Sequence, residues 1–422
     1  MHGWSCYSCL NMLGCLYAQT RGGGNCANAL TAAARLGLDS YLVSKVGDDS
    51  IGQEIEQELL SDGVHTQFLL RAKGHSSPFT YIIVDKQGGT RTCIHTPGAA
   101  YSPQDLTQDT ISQALADAQL VYFDGRLTES AVMLARAARQ QGVPVLVEAE
   151  RLRPNLEVLL GEADYVCTSA HFPQQWTGET ALGDALHTTL SRLPRVKFMI
   201  TTLGKRGSVL IARTDSQAVN QEVAQEAAQE ASQEAVLEDL LHSMLDEVGS
   251  SNRAGDGNGI GDGDGSSLLG CTARNGTRVK AGRVTATDKP FRLQLQRSPG
   301  DSPEATAAAE KAASAEASAN ADSTNASAYG RTASTAVATA GRDLIATVTV
   351  ASAANLPQEA VEDTTGAGDA FIGTILYGII HKLLYDQMLR LAAVVAACKC
   401  TALGARPGLP HAEDIDADLL TA

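Results

Sequence analysis

The sequence predicts an α/β fold, a three-layer sandwich with a mostly parallel central sheet and helices on both faces. From about Gly22 to Ala212, β-rich runs and helical runs take turns, the order that builds parallel strands joined by crossover helices. After a long compositionally biased stretch, a strand pattern resumes at LIATVTV and leads into helical runs to the end. A chain of 422 residues with 44% apolar content can bury one large core or two modest ones.

In order, the strand candidates of the first region are SYLVSKVG, FTYIIVD, TRTCIHT, LVYFDG, PVLVEAE, DYVCTS and KFMITTLG. Helices of the type ANALTAAARLG, IGQEIEQELLSDG and ESAVMLARAARQQG lie between them. Residues 1–21 form an atypical N-terminal segment, 22–213 the first part of the domain, 214–343 an insert and 344–422 the second part. The insert repeats Gln-Glu at a spacing of four, breaks at AGDGNGIGDGDGSS and continues rich in Ala and Ser. It holds few large apolar groups to offset its chain entropy, so it is expected to be a largely disordered loop. Because closure entropy grows only logarithmically with length, GSVLIAR and IATVTV on either side can still be near neighbours.

A net charge of -15 and a pI near 5.0 exclude a polyanion partner, whose phosphates need clustered Lys and Arg. The most apolar stretch, Phe371 to Leu403, is interrupted by His381, Lys382, Asp386, Arg390 and Lys399, so it falls short of the roughly 18 residues a membrane span needs. Nine cysteines, odd in number and unevenly spaced, fit unpaired thiols in a reducing compartment. The expected location is intracellular, cytoplasmic or organellar. Cys6 and Cys9 form a CxxC with no second pair at zinc-site spacing.

The chemistry concentrates at VEDTTGAGDAFIGTILYGII, residues 361–380. Phe371, Ile372, Ile375, Leu376, Ile379 and Ile380 recur at three and four, which places a helix after the turn Gly366-Ala367-Gly368 with Asp369 in its first turn. Leading amides without intrahelical partners and a positive dipole make such a terminus an anion site. A carboxylate beside that anion makes sense if it takes a proton from an attacking hydroxyl. A helix start with a dipole-favoured Asp is the plain structural alternative. TLGKRGS lacks Walker spacing, so any phosphate site rests on this turn instead.

DTTGAGDAF at 363–371 resembles the C-terminal signature of the ribokinase-like, or pfkB, carbohydrate kinases. Gly23-Gly24-Asn25-Cys26-Ala27-Asn28 resembles their N-terminal GGxxxN element, Val46 to Gly52 their VGDDxxG turn, and Thr202 to Gly207 their TLGxxG element. SSPFTYIIVD, GGTRTCIHTPGA and the tail KCTALGARPGLP are similar in family order. The likeness covers roughly residues 22–212 and 344–410. It implies the ribokinase-like fold with a small β lid, and transfer of the γ-phosphoryl group of ATP to a hydroxyl of a sugar or nucleoside. By matching position, Asp369 is the general base, and the amides of Gly366, Ala367 and Gly368 form the anion hole. Gly23, Gly24 and Asn28 contact the acceptor, and Thr202, Gly204 and Gly207 line the nucleotide pocket. Mg²⁺ travels with ATP, a monovalent cation such as K⁺ sits near Asp363, and the expected assembly is a homodimer without nucleic acid or membrane.

Two places depart from the family pattern. Ser169 and Phe172 stand where an NxxE motif would place the Asn and Glu that organise Mg²⁺, and no carboxylate precedes Asp39 to match the substrate-binding Asp of the first strand. These departures favour a second reading, a catalytically impaired member acting as a scaffold. A third, a dehydrogenase, rests on a GxGxxA match at Gly22 to Ala27, with no convincing strand before it.

Overall fold

Strand Val145–Ala149 shows why the sheet is covered twice. Val145, Val147 and Ala149 pack with Val166, Met199, Val209 and Ile211 on one face, whereas Leu146 packs with Cys167, Phe198, Ile200 and Leu210 on the other. Successive side chains of a strand point to opposite faces, and here both faces are buried and, apart from Glu148 on the Leu146 face, apolar. One layer of helices cannot bury them.

This computed structural model describes residues 22–85, 90–213, 271–272, 278–279, 291–296, 332–338 and 345–421. The first stretch holds α1 (Asn25–Arg35), β1 (Ser40–Tyr41), β2 (Ser44–Gly47), α2 (Ser50–Ser61), β3 (Val64–His65), β4 (Leu69–Ala72) and β5 (Phe79–Asp85). Next come β6 (Thr90–Thr96), α3 (Gln108–Leu115), β7 (Val121–Phe123), α4 (Thr128–Gln140), β8 (Val145–Ala149) and α5 (Leu156–Leu160). They lead to β9 (Tyr165–Ser169), α6 (Phe172–Thr177), α7 (Leu182–Arg192), β10 (Phe198–Thr202) and β11 (Ser208–Arg213). Then follow β12 (Cys271–Thr272), β13 (Arg278–Val279), β14 (Phe291–Gln296), β15 (Thr332–Ala338) and β16 (Ile345–Ala351). Last are α8 (Ala367–Ile380), α9 (Tyr385–Lys399) and α10 (Ala417–Leu420).

The central sheet runs β14-β15-β16-β11-β10-β9-β8-β7. Strands β7, β8, β9 and β10 are parallel, and β11 turns back antiparallel to β10. Helices α4, α5 and α7 bury Ala135, Leu160 and Leu190 on one face; α1, α8 and α9 bury Ala32, Ile375 and Leu389 on the other. The expected neighbours GSVLIAR and IATVTV pair antiparallel from Ser208↔Ala351 to Arg213↔Ala346. FTYIIVD and TRTCIHT form the hairpin β5–β6, apart from the central sheet, which answers to the expected small lid. SYLVSKVG is split, with β1 pairing β3 and β2 pairing β4.

The expected disordered insert lies for the most part outside the described residues, as does 1–21 with its CxxC. The described stretches within 214–343 are strands, of which β15 pairs with β16. Among the described residues no helix is long and apolar enough to cross a membrane. Cys26, Cys167 and Cys400 are free thiols, but Cys398 is disulfide-bonded, a correction to the expectation of unpaired cysteines. Spacing carries no information on which thiols meet in space.

One glycine sets how α1 meets α8. A Cβ at Gly373 would stand 2.3 Å from the Ala29 carbonyl oxygen and 2.7 Å from the Ala32 Cβ, so the two helices touch backbone to side chain across small residues. Gly373→Val should therefore force the pair apart and destabilise the fold by about 1–3 kcal/mol. A urea unfolding midpoint equal to that of the parent would show that the crossing does not need the glycine.

Candidate active site

The turn before α8 has the geometry that the glycines foreshadow. Gly366 is the N-cap residue at φ 81°, a left-handed conformation that favours glycine. A Cβ there would also lie 2.7 Å from the Ala405 Cβ. No side chain caps this helix. The Ala367 amide donates to the Thr364 carbonyl at 3.2 Å, and the Ala370 amide to the Gly366 carbonyl at 2.8 Å. Of the amides expected to form an anion hole, that of Ala367 is thus turned back into the loop. The Gly368 amide lies in the first turn, where the helix supplies no acceptor, and a Cβ on Gly368 would meet nothing within 4 Å. An anion can approach the backbone there.

Asp369 follows on the same turn, and its Oδ2 accepts from Asn28 Nδ2 at 2.8 Å. Asn28 Oδ1 in turn accepts from Arg406 Nε at 3.0 Å, and Arg406 Nη2 donates to the Gly23 carbonyl at 3.2 Å. Asn28 and Arg406 are buried, Arg406 to 2% exposure. Arg35 fastens the Arg406 loop by donating from Nη1 to the carbonyls of Arg406 and Leu409. Burial pushes the Asp369 carboxyl up to about 6, against the Asn28 hydrogen bond, which lowers it, and with the neighbouring Asp124 carboxylate adding to the rise. A carboxylate so tuned is ionised at neutral pH yet basic enough to accept a proton.

Further acids stand where the parallel strands end. Asp124 follows β7, and burial raises its carboxyl although the Arg126 amide donates to it at 3.0 Å. Glu150 follows β8 and pairs with Arg126 at 3.4 Å, Arg151 at 2.5 Å and Arg153 at 3.4 Å. Within β8, Glu148 accepts from the Tyr122 hydroxyl at 2.7 Å, and burial pushes it up to about 8. The carboxyl ends of parallel strands are where open α/β sheets receive ligands.

The expected acceptor glycines meet this rim. Gly23 and Gly24 line a cavity of about 780 Å³ together with Cys26, Asp124 and Arg126, and a Cβ on either glycine would meet nothing within 4 Å. Neither Asn28 nor Asp369 is part of its lining. Both ends of the Asn28 amide are engaged inside the protein. The expected nucleotide residues lie at the end of β10 and just after it, on the same edge of the sheet. Thr202 Oγ1 donates to the Thr168 carbonyl at 3.3 Å. Gly204, at φ 61°, has open space beside it, whereas a Cβ on Gly207 would fall 2.0 Å from the Ala351 carbonyl. Gly207 therefore answers to strand packing as well.

Ser169 Oγ donates to the Glu150 carbonyl at 2.6 Å, and Phe172 is buried and stacked on Trp176. Neither fits a Mg²⁺ ligand, so Mg²⁺ would have to be carried by the phosphates of ATP themselves. Among the described residues there is no group of three or more His, Cys, Asp and Glu that could hold a metal. At Asp363, Oδ1 accepts from the Thr365 amide and Oδ2 from the Gly404 amide, each at 2.9 Å. Burial favours its neutral form, but these amides hold the carboxyl below its ordinary range. The Asp363 backbone carbonyl accepts from Lys399 Nζ, which also donates to the Ala402 carbonyl at 3.3 Å. A second cation ~4 Å from that ammonium would be repelled by about 4 kcal/mol in protein surroundings. The residues present do not fit a monovalent cation.

Sequence reasoning missed Arg406, Glu148 and Lys399. Each carries a faint signal: Arg406 is the one charge within ALGARPGLP, Glu148 interrupts the apolar run PVLV, and Lys399 continues the buried stripe of Met388, Leu391, Ala392 and Val395.

Residues 16–229 and 296–412 match the pfkB family carbohydrate kinase domain. The chain is 27% identical over 193 residues to the ribokinase of Bacillus subtilis, covering 45% of this chain and 62% of that protein. It is 26% identical over 209 residues to a bifunctional ribokinase/ribose-5-phosphate isomerase A of Fructilactobacillus sanfranciscensis, covering 47% and 37%. The match thus spans only part of these relatives' own length. The solved ribokinase of Arabidopsis thaliana, complexed with ribose and ATP, shares the fold at a TM-score of 0.56 and 17% identity, covering 96% of this chain and 89% of that one.

Glu148 carries a stability signature. Folded, it holds its proton to about pH 8; its ordinary value is 4.5. Between these values the unfolded chain ionises while the fold stays protonated, so stability falls as pH rises. Glu148→Gln, fixed neutral, should gain Tm relative to the parent from pH 5 to pH 8; an offset that does not change over that range would exclude a protonated Glu148.

Proposed function

The chain belongs to the pfkB family of carbohydrate kinases, and we propose that it transfers the γ-phosphoryl group of ATP to a hydroxyl of a small sugar or nucleoside. One observation carries the reading: the Asp369 carboxyl, tuned to about 6, stands beside an uncapped helix terminus. When bound, ATP with its Mg²⁺ supplies the electrophilic phosphorus and part of the charge neutralisation. Gly23 and Gly24 allow the acceptor to lie against the backbone, with Asp124 and Arg126 available to its hydroxyls. Asn28 holds the Asp369 Oδ2, leaving Oδ1 to take the acceptor proton. The freed oxygen forms its bond to the γ-phosphorus as the bond to the bridging β,γ-oxygen breaks, and ADP departs with that electron pair. The Gly368 amide and the α8 dipole stabilise the charge that spreads over the transferring group. Thr202 and Gly204 flank the nucleotide.

A second reading, a member that binds its ligands without turning them over, is favoured by Ser169 and Phe172, which offer no metal-ligating carboxylate or amide. ATP-dependent phosphorylation across a panel of sugars and nucleosides separates the two readings, and silence across the whole panel would leave the second.

Asp369→Asn should lower turnover by about 10² to 10⁴-fold while ADP binding is retained, as expected for loss of a general base. The parent's kcat/KM should fall as pH drops through about 6. A mutant as fast as the parent, or a flat acid limb, would remove Asp369 from the chemistry.

A further inference from the structure

The loop that delivers the glycine turn is held by a lysine. Asp363 lies three residues before Gly366, and two layers of contacts fix it. The Glu362 and Asp363 amides donate to the Cys400 carbonyl at 2.9 and 3.2 Å, and the Asp363 carboxylate accepts from the amides of Thr365 and Gly404. Lys399 closes the arrangement from beneath. It is the last residue of α9, fully buried, and its Nζ donates to the carbonyls of Asp363 and Ala402.

A buried ammonium needs acceptors and compensating charge. Here it has two converging backbone carbonyls, the Asp363 carboxylate as a nearby counter-charge, and the negative end of the α9 dipole. Two inward-facing carbonyls beside a carboxylate would otherwise suit a weakly hydrated monovalent cation, since such ions take oxygen ligands. This chain fills that position covalently.

We propose that the Lys399 ammonium is a built-in cation that holds residues 363–368 in the anion-receiving conformation, so that this protein needs no K⁺. Lys399 is a positioning residue, acting through the Asp363 carbonyl. The proposal rests on the reading of the Gly368 amide at the start of α8 as an anion site, but its test does not require turnover.

The full chain and Lys399→Met are compared in KCl, NaCl and tetramethylammonium chloride at equal ionic strength, reading Tm and ADP affinity, and turnover where a substrate is found. The parent should be indifferent to the cation in both readouts. In tetramethylammonium chloride the variant should bind ADP about tenfold more weakly, and K⁺ should restore most of that loss while Na⁺ restores less. Selective rescue by K⁺ is a response that a merely structural lysine would not give. A parent whose Tm or ADP affinity rises with K⁺, or a folded variant that matches the parent in all three salts or loses affinity equally in all three, would overturn the proposal. If the variant does not fold, the parent's response to K⁺ alone decides. Cation indifference together with K⁺ rescue, but no phosphorylation of any acceptor, would sustain this proposal and sink the kinase reading instead.

Discussion

A buried guanidinium organises this site. Arg406 is withdrawn from water, so each of its donors left without an acceptor carries a desolvation cost. Asn28 and the Gly23 carbonyl answer two of them. Glu58 stands 3.9 Å from Nη1, an ion pair without a hydrogen bond, and accepts from the Gly22 amide at 2.6 Å. These contacts leave the Asn28 amide one orientation, oxygen toward Arg406 and nitrogen toward Asp369. The position of the carboxyl thus follows from a hydrogen-bonding obligation two residues away. The Gly373 crossing supplies the closeness that lets α1 and α8 share it.

Around this anchor the site divides its acids by environment. Asp124, Glu148 and Asp369 are all raised chiefly by burial, whereas Glu150 is ringed by Arg126, Arg151 and Arg153 and lies below its ordinary range despite its own partial burial. Carboxyls pushed in opposite directions by their surroundings take different work. Glu148, neutral at pH 7, shares a hydrogen bond with Tyr122. Asp369 is ionised and basic, and Glu150 stays a fixed negative charge among arginines.

Much of the architecture was legible in the sequence because it is written in local pattern. The alternation of strand and helix, the start of α8 and the glycine turn all follow from spacing a few residues wide, and the pairing of GSVLIAR with IATVTV from the small entropic cost of closing a long loop. The split of SYLVSKVG was not legible, because β1 and β2 look to different partners, β3 and β4, that the run itself does not reveal. Arg406 and Lys399 were missed for a related reason. A cation in a small-residue stretch reads as surface until the carbonyls that receive it are known, and those of Gly23 and Asp363 come from other segments of the chain. The family resemblance carried an expectation of K⁺ at Asp363, but a resemblance transfers motifs and does not reveal that the Asp363 carbonyl accepts from Lys399 Nζ. The free-thiol reading failed at Cys398 because bonding depends on proximity.

Asn28 and Asp369 are 341 residues apart in the chain. At ribosomal rates of roughly 5–20 residues per second, the second emerges about 20–70 s after the first. Throughout that interval the nascent α1 has neither its polar partners nor the surface that covers Ala29, Ala32 and Ala33. A polypeptide stalled or truncated before α8 therefore presents α1 as an uncovered small-residue helix to chaperones and proteases.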